Sequence, residues 1–213
     1  MKIAVINTGS NDALPPEARL FLPKLLAGLA ELGNEIHLFE RGAPAAGNDP
    51  PFSLHRLTTG DAAAAQQING LNADVCLIWD AEETGWNLLP RLAPATATLA
   101  VGHADSEIYY APVRHYRPFL TRVIGTTPET CVGFVISCVL DKERVEWISY
   151  DEGETDEVKN KSELIATYLA CFEKAAADAH AAPRESLPDF PPLRTTRPSS
   201  QSWLGKLKAR ILN

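Results

Sequence analysis

Six short apolar runs, most of them followed by a stretch with helical spacing, constrain this chain more than any other feature. They are "KIAVINTG" (2–9), "EIHLFER" (35–41), "ADVCLIWD" (73–80), "TATLAVG" ending at Gly102, "RVIGTT" (122–127) and "RVEWISYD" (144–151). Most are continuously apolar rather than alternating, as strands covered on both faces are. Between them Leu25, Leu26, Leu29 and Leu32 recur at helical spacing before a Gly33–Asn34 stop. A short Ala-rich helix is expected over 60–70, and Thr127–Pro128 is a helix start for a helix reaching about Leu140. Pro112 and Pro118 predict a broken helix between "TATLAVG" and "RVIGTT", and composition reads residues 42–54 as loop. Strands alternating with helices predict an α/β fold: a doubly wound, mostly parallel sheet of about six strands with helices on both faces.

The rest of the chain has another character. An acidic run (151–157) leads into a helix whose Leu164, Ile165, Tyr168, Leu169 and Phe172 form an apolar stripe. That stripe predicts packing on the α/β unit, so residues 1–180 are expected to form one domain. Residues 181–200 hold five prolines and read as a linker. In residues 201–213, Trp203, Leu204, Leu207 and Ile211 share one side of a helix and Lys206, Lys208 and Arg210 the other. That segment reads as a membrane-surface helix, a docking helix for a partner, or a helix packed back on this domain.

Composition narrows the function classes. A net charge of −7 argues against a nucleic-acid binder. No apolar run approaches the roughly 18 residues of a membrane span, and the N-terminus reads as a first strand rather than a signal peptide. Cys76, Cys131, Cys138 and Cys171 sit among apolar neighbours without C-x-x-C spacing. They read as buried thiols of a reducing compartment, so the expected location is cytoplasmic. No His stands at zinc-ligand spacing from any of them, and no metal or cofactor is expected.

Open α/β sheets take ligands beyond the carboxyl ends of their strands. There the sequence places Asn7 and Thr8, Asp80, "GHADSEIYY" (102–110), and Thr126 and Thr127. Gly102 is expected to let the backbone turn, and His103 either to project into the crevice or to be satisfied within the fold. Asp105 reads as the cap of the next helix or as an orienting partner of His103, and Tyr109 or Tyr110 as a ring free to stack on a ligand with the other in the core. Thr126 and Thr127 read as N-caps or anion contacts. Arg114, His115 and Arg117 form a basic cluster that reads as a solvated helix face or an anion site.

In order and spacing these segments resemble the N-terminal half of a GT-B glycosyltransferase of the large retaining family that uses nucleotide sugars. "LAELGNEIHLFER" resembles that family's second strand, with Asn34 where the family usually has His. "ADVCLIWD" resembles its third inner strand. "VGHADSEIYYAPVRHYRPFLTRVIGTTPET" resembles the segment in which a His ends one strand and Ser or Thr ends a later one, and "ERVEWISYDEG" its exit from the domain. The resemblance runs from about residue 1 to 151, and "SELIATYLACFEKA" resembles the family's last helix. Two departures stand out: "NTGSNDALPPEAR" has no Gly-Gly pair, and too few residues follow "ISYDEG" for a donor domain. The resemblance therefore implies an acceptor-side domain with His103, Asp105, Tyr109, Asn7, Thr8, Thr126 and Thr127 at its cleft. It implies no sugar transfer without a donor-domain partner. The alternative is a non-catalytic module that recruits a protein or membrane through Trp203, Lys206, Lys208 and Arg210.

Overall fold

The computed structural model describes residues 1–9, 14–42, 50–150 and 157–193, with the side chains of 157–160 excepted. The segment 201–213 and its expected partner or membrane contacts lie outside these residues. Seven parallel strands form one sheet in the order β3-β2-β1-β4-β5-β6-β7. The strands are β1 (Lys2–Asn7), β2 (Glu35–Glu40), β3 (Ser53–Arg56), β4 (Val75–Asp80), β5 (Ala97–Gly102), β6 (Arg122–Gly125) and β7 (Val145–Trp147). The helices are α1 (Pro16–Glu31), α2 (Asp61–Asn69), α3 (Glu83–Asn87), α4 (Glu107–Tyr116), α5 (Pro128–Ser137) and α6 (Glu157–Ala181). This is the Rossmann-like α/β architecture that the strand–helix alternation predicts, with a C-terminal helix added.

Period-two alternation assigns the apolar residues to two layers. Ile3, Val5, Leu77, Trp79, Leu99, Val101 and Ile124 face α1 and α6. Ala4, Ile6, Cys76, Ile78, Ala100 and Val123 face α2 to α5. Helix α6 packs beside α1, and the missing side chain of Gly28 makes room: a Cβ there would lie 2.2 Å from Ile165 Cδ1. At its far end α6 is tied to the sheet by Arg122, whose Nη2 donates to Asp178 at 2.6 Å while Nη1 donates to Glu146 at 2.8 Å. Burying that guanidinium without both carboxylates would be costly.

The sequence reading needs three corrections. The sheet has seven strands, because β3 lies at the end of the expected loop. Its four residues, Ser-Leu-His-Arg, lie at the sheet edge with Ser53 and Arg56 exposed and Leu54 and His55 half-buried, and carry no apolar run. His55 holds it there by bonding His37 Nδ1 at 2.9 Å and stacking on Phe39. Second, Pro112 does not interrupt α4. It removes one bond, to the carbonyl of exposed Ile108, while burial of Tyr109, Tyr110, Val113 and Tyr116 keeps the helix intact. The chain breaks at Arg117–Phe119, a 3₁₀ turn containing Pro118. Third, α5 stops at Ser137, because Val139 takes a left-handed φ of 54°.

Residues 182–193, which composition reads as the start of a linker, lie against the body. Arg184 donates to the carbonyls of Leu89 and Ala93, Leu187 N donates to Pro90 O, and Phe190 packs on Phe119 at 4.8 Å. Leu193 N donates to the Tyr116 hydroxyl at 2.9 Å. The cysteines among these residues are unbridged, with Cys76, Cys138 and Cys171 buried and Cys131 half-buried. No helix among the described residues is long and apolar enough to cross a membrane.

Candidate functional site

A cavity of about 570 Å³ opens at the carboxyl ends of β5, β6 and β7, a volume in the range of small-molecule sites. Its floor is His103, Thr126, Thr127, Ser149 and Tyr150, and its overhang is Pro15, Glu17, Leu20, Phe21 and Lys24 from α1. Glu17, Leu20, Phe21 and Lys24 recur three and four apart, so one face of α1 supplies them, and Pro15 stands at its N-cap.

Gly102, which ends β5, does not serve a sharp turn. A Cβ there would meet Phe134 Cζ at 2.4 Å and Thr130 Cγ2 at 3.0 Å, so the glycine admits α5 to the sheet. His103 follows it and is only 3% exposed. Its Nε2 lies 2.8 Å from Trp79 O. A carbonyl only accepts, so Nε2 carries the proton and Nδ1 keeps a lone pair. Nδ1 faces the Tyr150 hydroxyl at 3.4 Å. The ring packs edge-on against Trp79 at 4.8 Å and Tyr109 at 5.7 Å. Burial pushes its pKa down to about 4, and the bond to the Trp79 carbonyl offsets only part of that shift. The imidazole is therefore neutral at pH 7, a fixed acceptor at the base of the cavity. Of the two sequence readings, the internally satisfied histidine describes its burial, yet the ring still forms part of the cavity wall.

Tyr150 continues the network. Its side chain also bonds Thr126, and burial raises its pKa. The Thr126 hydroxyl donates to Gly102 O at 3.3 Å. Thr127 caps α5 by accepting from Thr130 N at 3.2 Å. Side chains of three strand ends, His103, Thr126 and Tyr150, and the Trp79 and Gly102 carbonyls thus form one connected network beneath the cavity.

The other predicted site residues lie elsewhere. Asp105 neither caps α4 nor orients His103. Ser106 accepts from Ile108 N as the cap, and Asp105 accepts from the Tyr110 hydroxyl at 2.7 Å. Tyr109 and Tyr110 are both buried, rather than one of them lying open for stacking. Tyr109 is pressed on the far side of His103, and its pKa is raised by burial and then by Asp80 and Tyr150. Asn7 lines a separate cavity of about 200 Å³ with Arg19, Glu40, Phe52 and Trp79. Its Nδ2 donates to Glu40 at 3.3 Å. Thr8 is fully buried, and its backbone N–H donates to Asp80 O at 2.7 Å. Two members of the basic cluster are engaged within the fold, Arg114 with Glu107 at 3.0 Å and His115 Nε2 with Pro191 O at 2.8 Å, and Arg117 is exposed.

The structure therefore joins His103, Thr126 and Thr127 and adds residues that sequence reasoning missed. Ser149 and Tyr150 were passed over because the run "RVEWISYD" reads as strand to Asp151, whereas β7 ends at Trp147. The overhang had only the i, i+3, i+4 and i+7 spacing of Glu17, Leu20, Phe21 and Lys24, which amphipathic packing also produces.

No family model matches the sequence, and no curated protein matches it. Among solved structures the chain is similar to a glycosyltransferase from Rickettsia africae ESF-5, with 11% identity over 78% of this chain and 49% of that one and a TM-score of 0.54. It is similar as well to a sucrose-phosphate synthase from Thermosynechococcus elongatus, with 14% identity over 82% of this chain and 98% of that one and a TM-score of 0.53. At these identities the likeness is one of fold. The chain spans about half the length of the Rickettsia africae chain.

Proposed function

We propose that this chain is a glycosyltransferase-like domain of the GT-B N-terminal type. It holds a hydroxyl-rich acceptor in the cavity under α1 and transfers no sugar until a donor-binding domain is supplied. The fold likeness to two sugar-handling proteins supports the class. The observation that carries the reading is the floor of the cavity. His103 Nδ1 accepts and, with Nε2–H committed to Trp79 O, has no proton to offer. Such an atom pairs with a hydroxyl or amide donor and repels a phosphate oxygen. The Tyr150 hydroxyl, whose proton faces His103 Nδ1, and the Thr126 hydroxyl, whose proton goes to Gly102 O, keep oxygen lone pairs that accept from a sugar's hydroxyls. Among the described residues the charged groups of this cavity, Glu17 and Lys24, lie on the exposed face of α1 rather than in its floor. None of the described side chains of α6 lines the cavity.

Saturation-transfer NMR on the full chain with methyl glycosides and disaccharides tests the reading. Glycosides are expected to bind and Tyr150→Phe to weaken them about three- to tenfold, the effect of one lost hydrogen bond. UDP- and GDP-sugars are expected to show no saturable binding by calorimetry at low micromolar concentration. Tight nucleotide-sugar binding, or glycoside binding indifferent to Tyr150→Phe, would refute it.

A further inference from the structure

Helix α5 turns an apolar stripe to solvent. Val132, Val135 and Ile136 stand at i, i+3 and i+4 and are 56, 36 and 72% exposed, and Val139, just past the helix end, is 69% exposed. Trp147, on the neighbouring edge strand β7, is 62% exposed. It lies two residues beyond Val145, which packs on the α5 side of the sheet, and so shares that side. Phe134 and Cys138 attach α5 to the core from its other face, so the outward stripe has no part in that packing. At its end Val139 holds a left-handed conformation that a β-branched residue adopts only under strain.

We propose that the chain's own C-terminal segment, residues 201–213, docks on this face of α5. Its Trp203, Leu204, Leu207 and Ile211 offer a matching apolar stripe. The tether starts in the right place. Leu193 is held by Tyr116 on α4, and α4 lies beside α5, with Arg114 Nε donating to Ser137 O at 3.0 Å. The ten residues from Leu193 to Trp203 span up to about 33 Å, against roughly 10 Å between neighbouring helix axes. A short tether sets an effective concentration on the order of millimolar, so a weak contact suffices. Charge favours the same pairing. Residues 194–213 carry five basic and no acidic side chains, leaving 15 basic and 27 acidic ones elsewhere, a net charge of −12. Exposed Glu129 stands at the start of α5, and Asp141 and Glu143 flank Lys142 beyond its end. A second copy fits less well, because a stripe under three turns long falls short of the roughly 800 Å² per partner that a standing dimer buries.

Hydrogen exchange on full-length protein tests the proposal, followed by mass spectrometry in peptides 128–140 and 201–213. Ile136→Asp is expected to speed exchange of the tail about tenfold, as release of a segment docked roughly nine-tenths of the time requires. Leu207→Asp is expected to speed exchange at the exposed turns of α5. Should Ile136→Asp melt early, Val132→Lys makes the same test. Tail exchange indifferent to the α5 variants overturns the proposal. So does a dimer that Ile136→Asp dissociates while tail exchange is unchanged. Leu207-dependent sedimentation with phosphatidylglycerol vesicles, with α5 exchange in the free protein unaffected by Leu207→Asp, overturns it in favour of a membrane.

Discussion

Acid should destabilise this protein through one imidazole. His103 has a folded pKa near 4 against 6.5 for an unperturbed histidine, because burial disfavours its cation. The folded ring stays neutral while the unfolded one takes up a proton below about pH 6.5, so protons favour the unfolded chain. The contribution is present above pH 6.5 and is lost as the pH falls toward 4. Integrating the two titrations between pH 7 and pH 5 gives about 2 kcal/mol. For a domain of this size that is a fall of roughly 4–8 °C in Tm. His103→Gln removes the titration while keeping an N–H donor for the Trp79 carbonyl. Urea unfolding of both proteins at pH 7 and pH 5 isolates the effect. The variant should lose about 2 kcal/mol less than the parent across that interval, whatever the carboxylates and other histidines contribute to both. Equal losses would refute the reasoning, as would an NMR titration of the folded imidazole with a midpoint near that of an exposed histidine.

Two further substitutions probe the seating of α6. Gly28→Ala drives a methyl into Ile165 Cδ1 and should cost about 1–3 kcal/mol; Ile165→Val, which removes that carbon, should recover much of the loss in a thermal melt of the double variant. Asp178→Ala leaves the Arg122 guanidinium with Glu146 and the Glu143 carbonyl as its remaining partners. Because Asp178 is half exposed, its loss should cost about 1–3 kcal/mol rather than the full penalty of a broken buried pair, measured by urea unfolding.

The sheet's interior was legible because strands covered on both faces must be continuously apolar, as "VCLIW" and "ATLAV" are. β3 was not, since an edge strand needs no such run and Ser53–Arg56 has none. α4 was misread at Pro112 because one lost hydrogen bond weighs less than four buried side chains, which only the fold reveals. The carboxyl-edge rule pointed to His103, Thr126 and Thr127, which line one cavity, and passed over Ser149 and Tyr150 because the apolar run was read as strand as far as Asp151 whereas β7 ends at Trp147. The same rule grouped Asn7 and Thr8 with them, because it places residues along an edge without seeing that the Trp79 side chain lines a second cavity beside Asn7. Asp105 was misassigned through competition between neighbours: Ser106 takes the cap, and the carboxylate is left to Tyr110.

The position of α6 also sets an order of events. One face of the sheet is roofed by the first helix and the last, so the strip over β4, β5 and β6 stays bare until more than a hundred residues beyond α1 have been placed. Contacts of such long range close slowly. A chain with its strands assembled and α6 unseated presents Leu99, Val101 and Ile124 to water, an intermediate that self-associates through the surface it has yet to cover. Refolding yield should therefore fall with protein concentration, and the Arg122–Asp178 clasp should form among the last contacts of the native state.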